Sequence, residues 1–309
     1  MADADSERLA RLAPNMRRRA LILQLARRFF DERGFLEVDT PLRSPAIAPE
    51  KEIIPFDSEG WFLATSPELY MKRLLAAGYP ALYQISHSFR KGERGRLHNP
   101  EFTMLEWYRA AATYEALMDD TEQLVLHIAR GLELGQAFKY QRRTIDLSPP
   151  WGRITVSELY RQLAGWDPVA DPDPVRFDTD MVTKVMPCLN PHRPTIVTEY
   201  PAPMASLARL KPGNPHVAER AEVFMGGLEL ANAYSELNDA QEQRARFLKE
   251  AGAIEREQGR KVPLPEKFLA AMTHLPECAG IALGMDRLVM LFCNAASIDE
   301  VAPFTEETA

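Results

Sequence analysis

At 309 residues the chain can hold one large domain or two modest ones. Its 46% hydrophobic and 26% charged content is ordinary for a soluble globular protein; no apolar run nears the roughly 20 residues of a membrane helix, and the N-terminal MADADSERLARLAPN has no apolar signal core. The net charge of −7 argues against a broad nucleic-acid footprint, and the scattered cysteines Cys188, Cys278 and Cys293 form neither a metal spacing nor a disulfide framework, which fits a reducing cytoplasm.

Met16 to Arg33 reads as an amphipathic helix. Asn15 can cap it, Leu21, Leu25 and Phe29 recur at helical spacing, and Gly34 stops it. Phe35 to Val38 predicts a short strand ending at Pro41, and Trp61 to Thr65 another. Ser66-Pro67 then opens a helix, with the hydroxyl as N-cap and proline where its missing N–H is harmless. Glu68 falls in the first turn, where the helix dipole favours a carboxylate. It is either dipole compensation or the receiver of a substrate ammonium group.

Next comes FRKGERGRLHNPEFTMLEWYR, from Phe89 to Arg109. A strand from about Leu82 to Arg90 leads into it, with Tyr83, Ile85 and Phe89 alternating with Gln84, Ser86, Ser88 and Arg90. A second strand runs from Phe102 to Tyr108. Phe102, Met104, Glu106 and Tyr108 share one face, and Thr103, Leu105 and Trp107 the other. The joining loop carries Lys91, Arg94, Arg96 and His98. An arginine, a carboxylate, a phenol and a flat aromatic on one face, under a cationic loop, suit an anionic planar ligand such as ATP beside a cationic one. The plain alternative is a surface hairpin with a solvated charged loop.

Thr113 caps a helix to about Arg130, ended by Gly131; Thr155 to Glu158 fits a capping box. Asp178 to Met186 predicts a helix and Thr195 to Tyr200 a strand, with proline-rich loops at 167–174 and 187–194. In AERAEVFMGGLELANAYSELNDAQEQ, from Ala218 to Gln243, Gly226-Gly227 marks a two-residue hairpin turn. Counting from that turn sets Phe224 opposite Glu229 and Glu222 opposite Ala231, so Glu222 and Glu229 become diagonal neighbours on one face, shared with Phe224 and Ala231. Two such carboxylates repel unless a cation lies between them, and Mg²⁺ shared with ATP phosphates is the natural filler. Asn232 has the opposite parity and reaches that face only through a bulge or at the strand's end. The direction of Glu236, beyond the strand, is not readable from periodicity. Helices follow from Asp239 to about Glu257 and from Pro265 to about His274. Finally an apolar strand from Ala279 meets Gly284, and a helix starts near Met285 with Arg287 in its first turn. A glycine there permits close ligand approach. An arginine at a helix N-terminus is awkward unless it clamps a phosphate.

Together these stretches resemble the catalytic core of class II aminoacyl-tRNA synthetases, specifically the lysyl-tRNA synthetase group. The first helix with FLEVDTP resembles motif 1, the dimer element; FRKGERGRLHNPEF and its following strand resemble motif 2; GMDR resembles motif 3. The likeness spans about Met16 to Phe304. It implies a single α+β domain over residues 1–309, with an antiparallel sheet flanked by helices, in a homodimer. It further implies that Arg90 holds the α-phosphate and the amino-acid carboxylate, Phe102 stacks on adenine, His98 touches the outer phosphates and Arg287 holds the γ-phosphate. Glu222 and Glu229 would bind Mg²⁺, with Glu222 also in the ATP set. Glu68 would take the amino group near the reacting end. Glu106, Tyr108 and Glu236 would take the distal ammonium of a lysine-like substrate, with Asn232, Ser66, Ala282 and Gly284 completing that pocket. One departure is Lys91-Gly92, where the synthetase pattern has a small polar residue and then a glutamate reading adenine; Glu93 falls one place later.

A lysyl-tRNA synthetase carries an OB-fold anticodon-binding domain before this core, whereas here only residues 1–15 precede the first helix. The chain therefore resembles the short paralogues of that enzyme, which activate lysine, preferentially (R)-β-lysine, with ATP and transfer it to a lysine of elongation factor P. PAPMASLA at 201–208 favours the paralogue, as do Ala231 and Ala282 where the synthetase has glycine; LFCNAAS after motif 3 is closer to the synthetase. A methyl at Ala282 could favour a displaced amino group, an effect of roughly 1–3 kcal/mol at most. The expected partners are elongation factor P, lysine or β-lysine and a second copy of the chain, with neither a membrane nor tRNA among them.

Overall fold

A computed structural model describes residues 4–309. Helix α1 (Ala4–Asp31) leads to the short strands β1 (Leu36–Glu37), β2 (Arg43–Ser44), β3 (Asp57–Ser58) and β4 (Trp61–Leu63). Then come α2 (Glu68–Ala76), β5 (Ala81–Phe89), β6 (Glu101–Ala110) and α3 (Tyr114–Gly131). The middle of the chain holds β7 (Ala137–Tyr140), β8 (Arg143–Asp146), β9 (Gly152–Thr155), α4 (Val156–Leu163) and α5 (Pro174–Asp180). The last part holds β10 (Thr195–Pro201), β11 (Leu210–Lys211), β12 (Asn214–Met225), β13 (Leu228–Ser235), α6 (Ala240–Gln258), α7 (Glu266–Ala271), β14 (Cys278–Gly284) and α8 (Met285–Cys293).

Among the described residues nine strands form one sheet in the order β1-β5-β6-β14-β13-β12-β10-β9, with β11 pairing β12. From β5 through β10 every pairing is antiparallel, but β1 runs parallel to β5 and β9 parallel to β10. The sheet is therefore antiparallel through its body, as expected of this α+β fold, with a parallel pair at each edge. Both edge strands arrive from long connections, which parallel pairing requires.

One face of the sheet is a closed apolar layer. Phe29 and Phe30 of α1, Leu117 and Leu124 of α3, and Leu288 and Leu291 of α8 pack there on Leu105, Trp107, Ile281 and Leu283. The odd-numbered side of β6 thus buries itself under helices, as its pattern predicts. The opposite side keeps its polar groups. Gln84, Ser86 and Ser88 are covered rather than solvated, so the polar face of β5 is buried, while His87 on its other face stays exposed.

Several helix ends differ from the sequence reading. Helix α1 starts at Ala4, so Asn15 lies inside it and its side-chain amide donates to the Glu300 carbonyl at 2.9 Å instead of capping. Gly131 is the last residue of α3 rather than a stop signal. A Cβ there would come within 2.4 Å of Leu25, so glycine lets α3 approach α1. The Ser66 hydroxyl accepts from the Glu68 N–H at 3.0 Å, although Pro67 occupies the cap position. The Thr155–Glu158 capping box forms as predicted. The predicted helix over 178–186 begins earlier, at Pro174, with Asp173 as its cap, and continues through a π turn at Met181–Val185. No described helix is long and apolar enough to cross a membrane. All three cysteines are unpaired.

Candidate active site

A cavity of about 1010 Å³ opens on the polar face of the sheet. Its nucleotide-like end is lined by Arg90, His98, Phe102, Glu229 and Arg287. Its far end is lined by Ser66, Glu68, Glu106, Tyr108, Asn232 and Glu236, with Ala282 and Gly284 between the two. Of the predicted site residues only Glu222 does not line it. The loop at 49–53 and residues Arg246 and Phe247 of α6 complete the walls.

The β5–β6 hairpin sets the first end. Ser88 pairs with Phe102, and the Arg90 N–H donates to the Pro100 carbonyl at 2.8 Å, so Arg90 and Phe102 leave the sheet side by side. The guanidinium sits 5.2 Å from the Phe102 ring centroid, and its Nε donates to the Thr65 carbonyl at 3.4 Å. A planar base can stack on that ring while the arginine faces phosphate. Glu93 lies 3.5 Å from Arg90 and lines the cavity, so the displaced glutamate does reach the site. Arg287, at the start of α8, donates to the Glu229 carbonyl at 2.6 Å and contacts His98 Nε2 at 2.7 Å. Burial and then the Arg287 charge lower the His98 pKa, so the ring nitrogen facing the guanidinium is an acceptor. Neighbouring Asp286 accepts from the Thr103 N–H at 2.8 Å and pairs with Arg19 at 2.5 Å, which locks α8 and α1 to β6.

The β12–β13 hairpin turns at Gly226-Gly227, with Met225 opposite Leu228 and Phe224 opposite Glu229, as predicted. The register then slips, because Leu230 is a bulge residue between Val223–Ala231 and Phe224–Glu229. Glu222 therefore faces Asn232, not Ala231, and Ala231 packs in the apolar core. The bulge is the one Asn232 needed, and it brings Glu222, Glu229 and Asn232 to one face. Glu229 is pushed up to about 7 by burial and then by the Glu222 charge. Glu222 itself is held by Arg220 at 2.6 Å. Two carboxylates brought to one face in this way fit a divalent cation drawing further ligands from phosphate oxygens. No group of three or more acidic, histidine or cysteine ligands occurs among the described residues.

Strand pairing aligns the far end as rungs across the sheet. Gln84, Glu106, Ala282, Asn232 and Glu222 are successive Cα partners, so the Ala282 methyl lies on the floor between Glu106 and Asn232. The next rung runs Tyr108, Gly280, Tyr234, Arg220. Glu106 accepts from the Tyr108 hydroxyl at 2.6 Å and from Ser66 at 2.9 Å. It is 2% exposed, and burial followed by the Glu68 charge pushes it up to about 7. Glu236, beyond the strand, turns inward. Its N–H donates to the Cys278 carbonyl at 2.9 Å and it is 1% exposed.

Three residues that shape this end escaped the sequence reading. Lys72 of α2, 2% exposed, is paired with Glu68 and lies 2.5 Å from Glu236. Its spacing of four from Glu68 was the available signal. Gly280 has no side chain because a Cβ would fall 2.1 Å from the Tyr108 ring and 2.4 Å from Glu236 Oε1. A lone glycine inside a strand marks such close approaches. Arg220 stacks 4.5 Å from the Tyr200 ring centroid and holds Glu222; nothing in its sequence context distinguishes it from a surface arginine.

The pattern described as tRNA synthetases class II (D, K and N) matches residues 4–308, and the chain belongs to this family. Within it, the chain is 40% identical over 316 residues to the elongation factor P–(R)-β-lysine ligase of Klebsiella pneumoniae (strain 342), with 96% of each chain covered. The ligase of the same name from Pectobacterium carotovorum subsp. carotovorum (strain PC1) is 38% identical with 100% of each covered. That of Proteus mirabilis (strain HI4320) is 39% identical with 94% of each covered.

Proposed function

We propose that the chain is an ATP-dependent ligase that activates lysine or (R)-β-lysine as an adenylate and transfers it to a lysine side chain of elongation factor P. The observation that carries this reading is the division of one cavity. Arginines and an aromatic ring stand at one end, and the carboxylates Glu68, Glu106 and Glu236 at the other, with the buried Lys72 behind them. A diammonium amino acid fits the second end with its carboxylate directed to Arg90. Nearly full-length likeness to ligases of that name supports the choice of acceptor.

In the first step a carboxylate oxygen of the amino acid attacks the α-phosphorus of ATP. An acyl–phosphate bond forms and pyrophosphate leaves. Arg90 neutralises the carboxylate and the α-phosphate, Arg287 with His98 steadies the outer phosphates, and Phe102 stacks on adenine. The side chains supply positioning and charge rather than acid–base chemistry. Mg²⁺ at Glu229, with Glu222, would offset phosphate charge when bound. In the second step the neutral amine of the acceptor lysine attacks the acyl carbon, an amide forms and AMP leaves. The protein works in the cytoplasm as a homodimer through the motif 1 helix, with tRNA outside its acceptor range.

Pyrophosphate exchange with each lysine isomer, followed by the mass of elongation factor P after incubation, tests this. Isomer-dependent exchange and a gain of one lysyl mass on the factor are expected. Transfer of label to tRNA and not to the factor would overturn the reading.

A further inference from the structure

Lys72 has the burial of a core residue and the charge of a surface one. Its side chain is 1% exposed and is held by Glu68, one turn earlier on α2, and by Glu236 at 2.5 Å. It does not line the cavity, although Glu68, Glu106, Tyr108 and Glu236 all do. Lys72 therefore stands behind the carboxylates and is not a competitor for the place of a ligand. Its ammonium is 6.0 Å from the Tyr108 ring centroid. Apart from the ion pair, neither oxygen of Glu236 has a hydrogen-bond partner among the described residues.

The charge balance of this end follows. Glu68, Glu106 and Glu236 are three carboxylates, and among the described residues Lys72 is the one cation paired with them. Once all three are ionised against a bound ligand, two negative charges remain, and a diammonium amino acid brings two positive ones. Without Lys72 the same three carboxylates would crowd each other in a low-dielectric pocket, and they would take up protons instead of holding ammonium groups. With it, Glu68 and Glu236 are drawn to fixed positions on the pocket wall, and their free oxygens are left for substrate.

We propose that Lys72 is a positioning and specificity-determining residue, an internal counterion that holds Glu68 and Glu236 in place and sets the pocket to accept a substrate with two ammonium groups. This rests on the lysine-activating reading above. The groups facing Lys72 are Glu68 on its own helix, Glu106 and Tyr108 on β6, Glu236 after β13 and Cys278 on β14. Burial works to lower the Lys72 ammonium, but Glu236 and Glu68 together hold it well above its ordinary value. It stays charged throughout the working range, so the device is fixed and does not titrate.

The test uses full-length Lys72→Gln and Lys72→Met beside Lys72→Arg, assayed by amino-acid-dependent pyrophosphate exchange across pH 6 to 9. Glutamine can still donate to both carboxylates, so it keeps the fold accessible if the methionine variant does not fold. Loss of the charge is expected to raise the amino-acid KM about tenfold or more at pH 7 and to move the acid limb of kcat/KM up by about one pH unit, a tenfold change in the ionised fraction. The KM for ATP should stay within about twofold, because the nucleotide end is untouched. Discrimination against norleucine, which lacks the distal ammonium, should fall by about tenfold in the same variants. Lys72→Arg should leave the acid limb where it is. A folded Lys72→Gln protein with the wild-type acid limb and wild-type rejection of norleucine would overturn the proposal. Wild-type protein inactive with both lysine isomers would instead overturn the functional reading beneath it.

Discussion

Single side chains at this site work through what holds them. Arg287 would be misplaced at the start of α8 by dipole considerations alone. Its contacts to the Glu229 carbonyl and to His98 aim it into the cavity, where an anion rewards it. Replacing Arg287 with alanine should lower kcat by about 10²–10³ while leaving the amino-acid KM nearly unchanged, since the missing charge acts on the transferring phosphates. Steady-state kinetics with each substrate varied in turn would show this. A rise confined to the amino-acid KM would place Arg287 elsewhere. Glu106 works by contrast through isolation. Tyr108 and Ser66 both donate to it, yet burial and Glu68 still hold its acid form up to about 7. The carboxyl is thereby poised to ionise when an ammonium arrives.

At the scale of elements, the sheet supplies distances that no loop could hold. The rungs through Glu106 and Ala282, and through Tyr108 and Gly280, fix the spacing between substrate-facing groups by strand pairing itself. Gly280 is where this geometry is tightest, with Tyr108 and Glu236 both filling the space a methyl would need. Gly280→Ala is expected to raise the amino-acid KM more than tenfold and to destabilise the fold by about 1–3 kcal/mol, the range for overpacking a closed site. Chemical denaturation and pyrophosphate exchange read the two effects separately. A variant with wild-type values in both would mean that Tyr108 and Glu236 can give way. The bulge at Leu230 acts in the same manner, since without its extra residue Asn232 would turn into the apolar layer.

For the whole molecule, the cluster of buried carboxylates makes the empty enzyme sensitive to pH. The folded Glu106 carboxyl is raised to about 7 from 4.5. Below about 4.5 both folded and unfolded chains are protonated there and nothing is lost. Between about 4.5 and 7 the unfolded chain releases its proton first, so this group lowers stability as pH rises. Above about 7 the loss is complete and on the order of 3 kcal/mol. Glu106→Gln should therefore raise the unfolding temperature of ligand-free protein at pH 8, change it little below pH 4.5, and abolish lysine activation. Thermal unfolding across that range checks it, and destabilisation by Glu106→Gln at pH 8 would show that the carboxylate is already compensated in the empty pocket. Stability given up at a binding site is regained when the cationic substrate binds.

The local pieces of this fold are legible along the chain. Period-two alternation placed Phe102, Glu106 and Tyr108 on one side of β6 and buried Leu105 and Trp107 on the other, and the glycine pair set the β12–β13 turn. Turn and cap chemistry act between near neighbours, so they are legible in order along the chain. Tertiary structure alone decided the slip at Leu230, the inward turn of Glu236, the parallel edges of the sheet and the pairing of Lys72 with Glu236, residues 72 and 236 being far apart in the chain. Those features depend on which strand lies beside which, and on how much water is excluded when they meet. Neither quantity is a property of any one stretch, so the charge balance of the pocket became readable only when α2, β6, β13 and β14 were brought together.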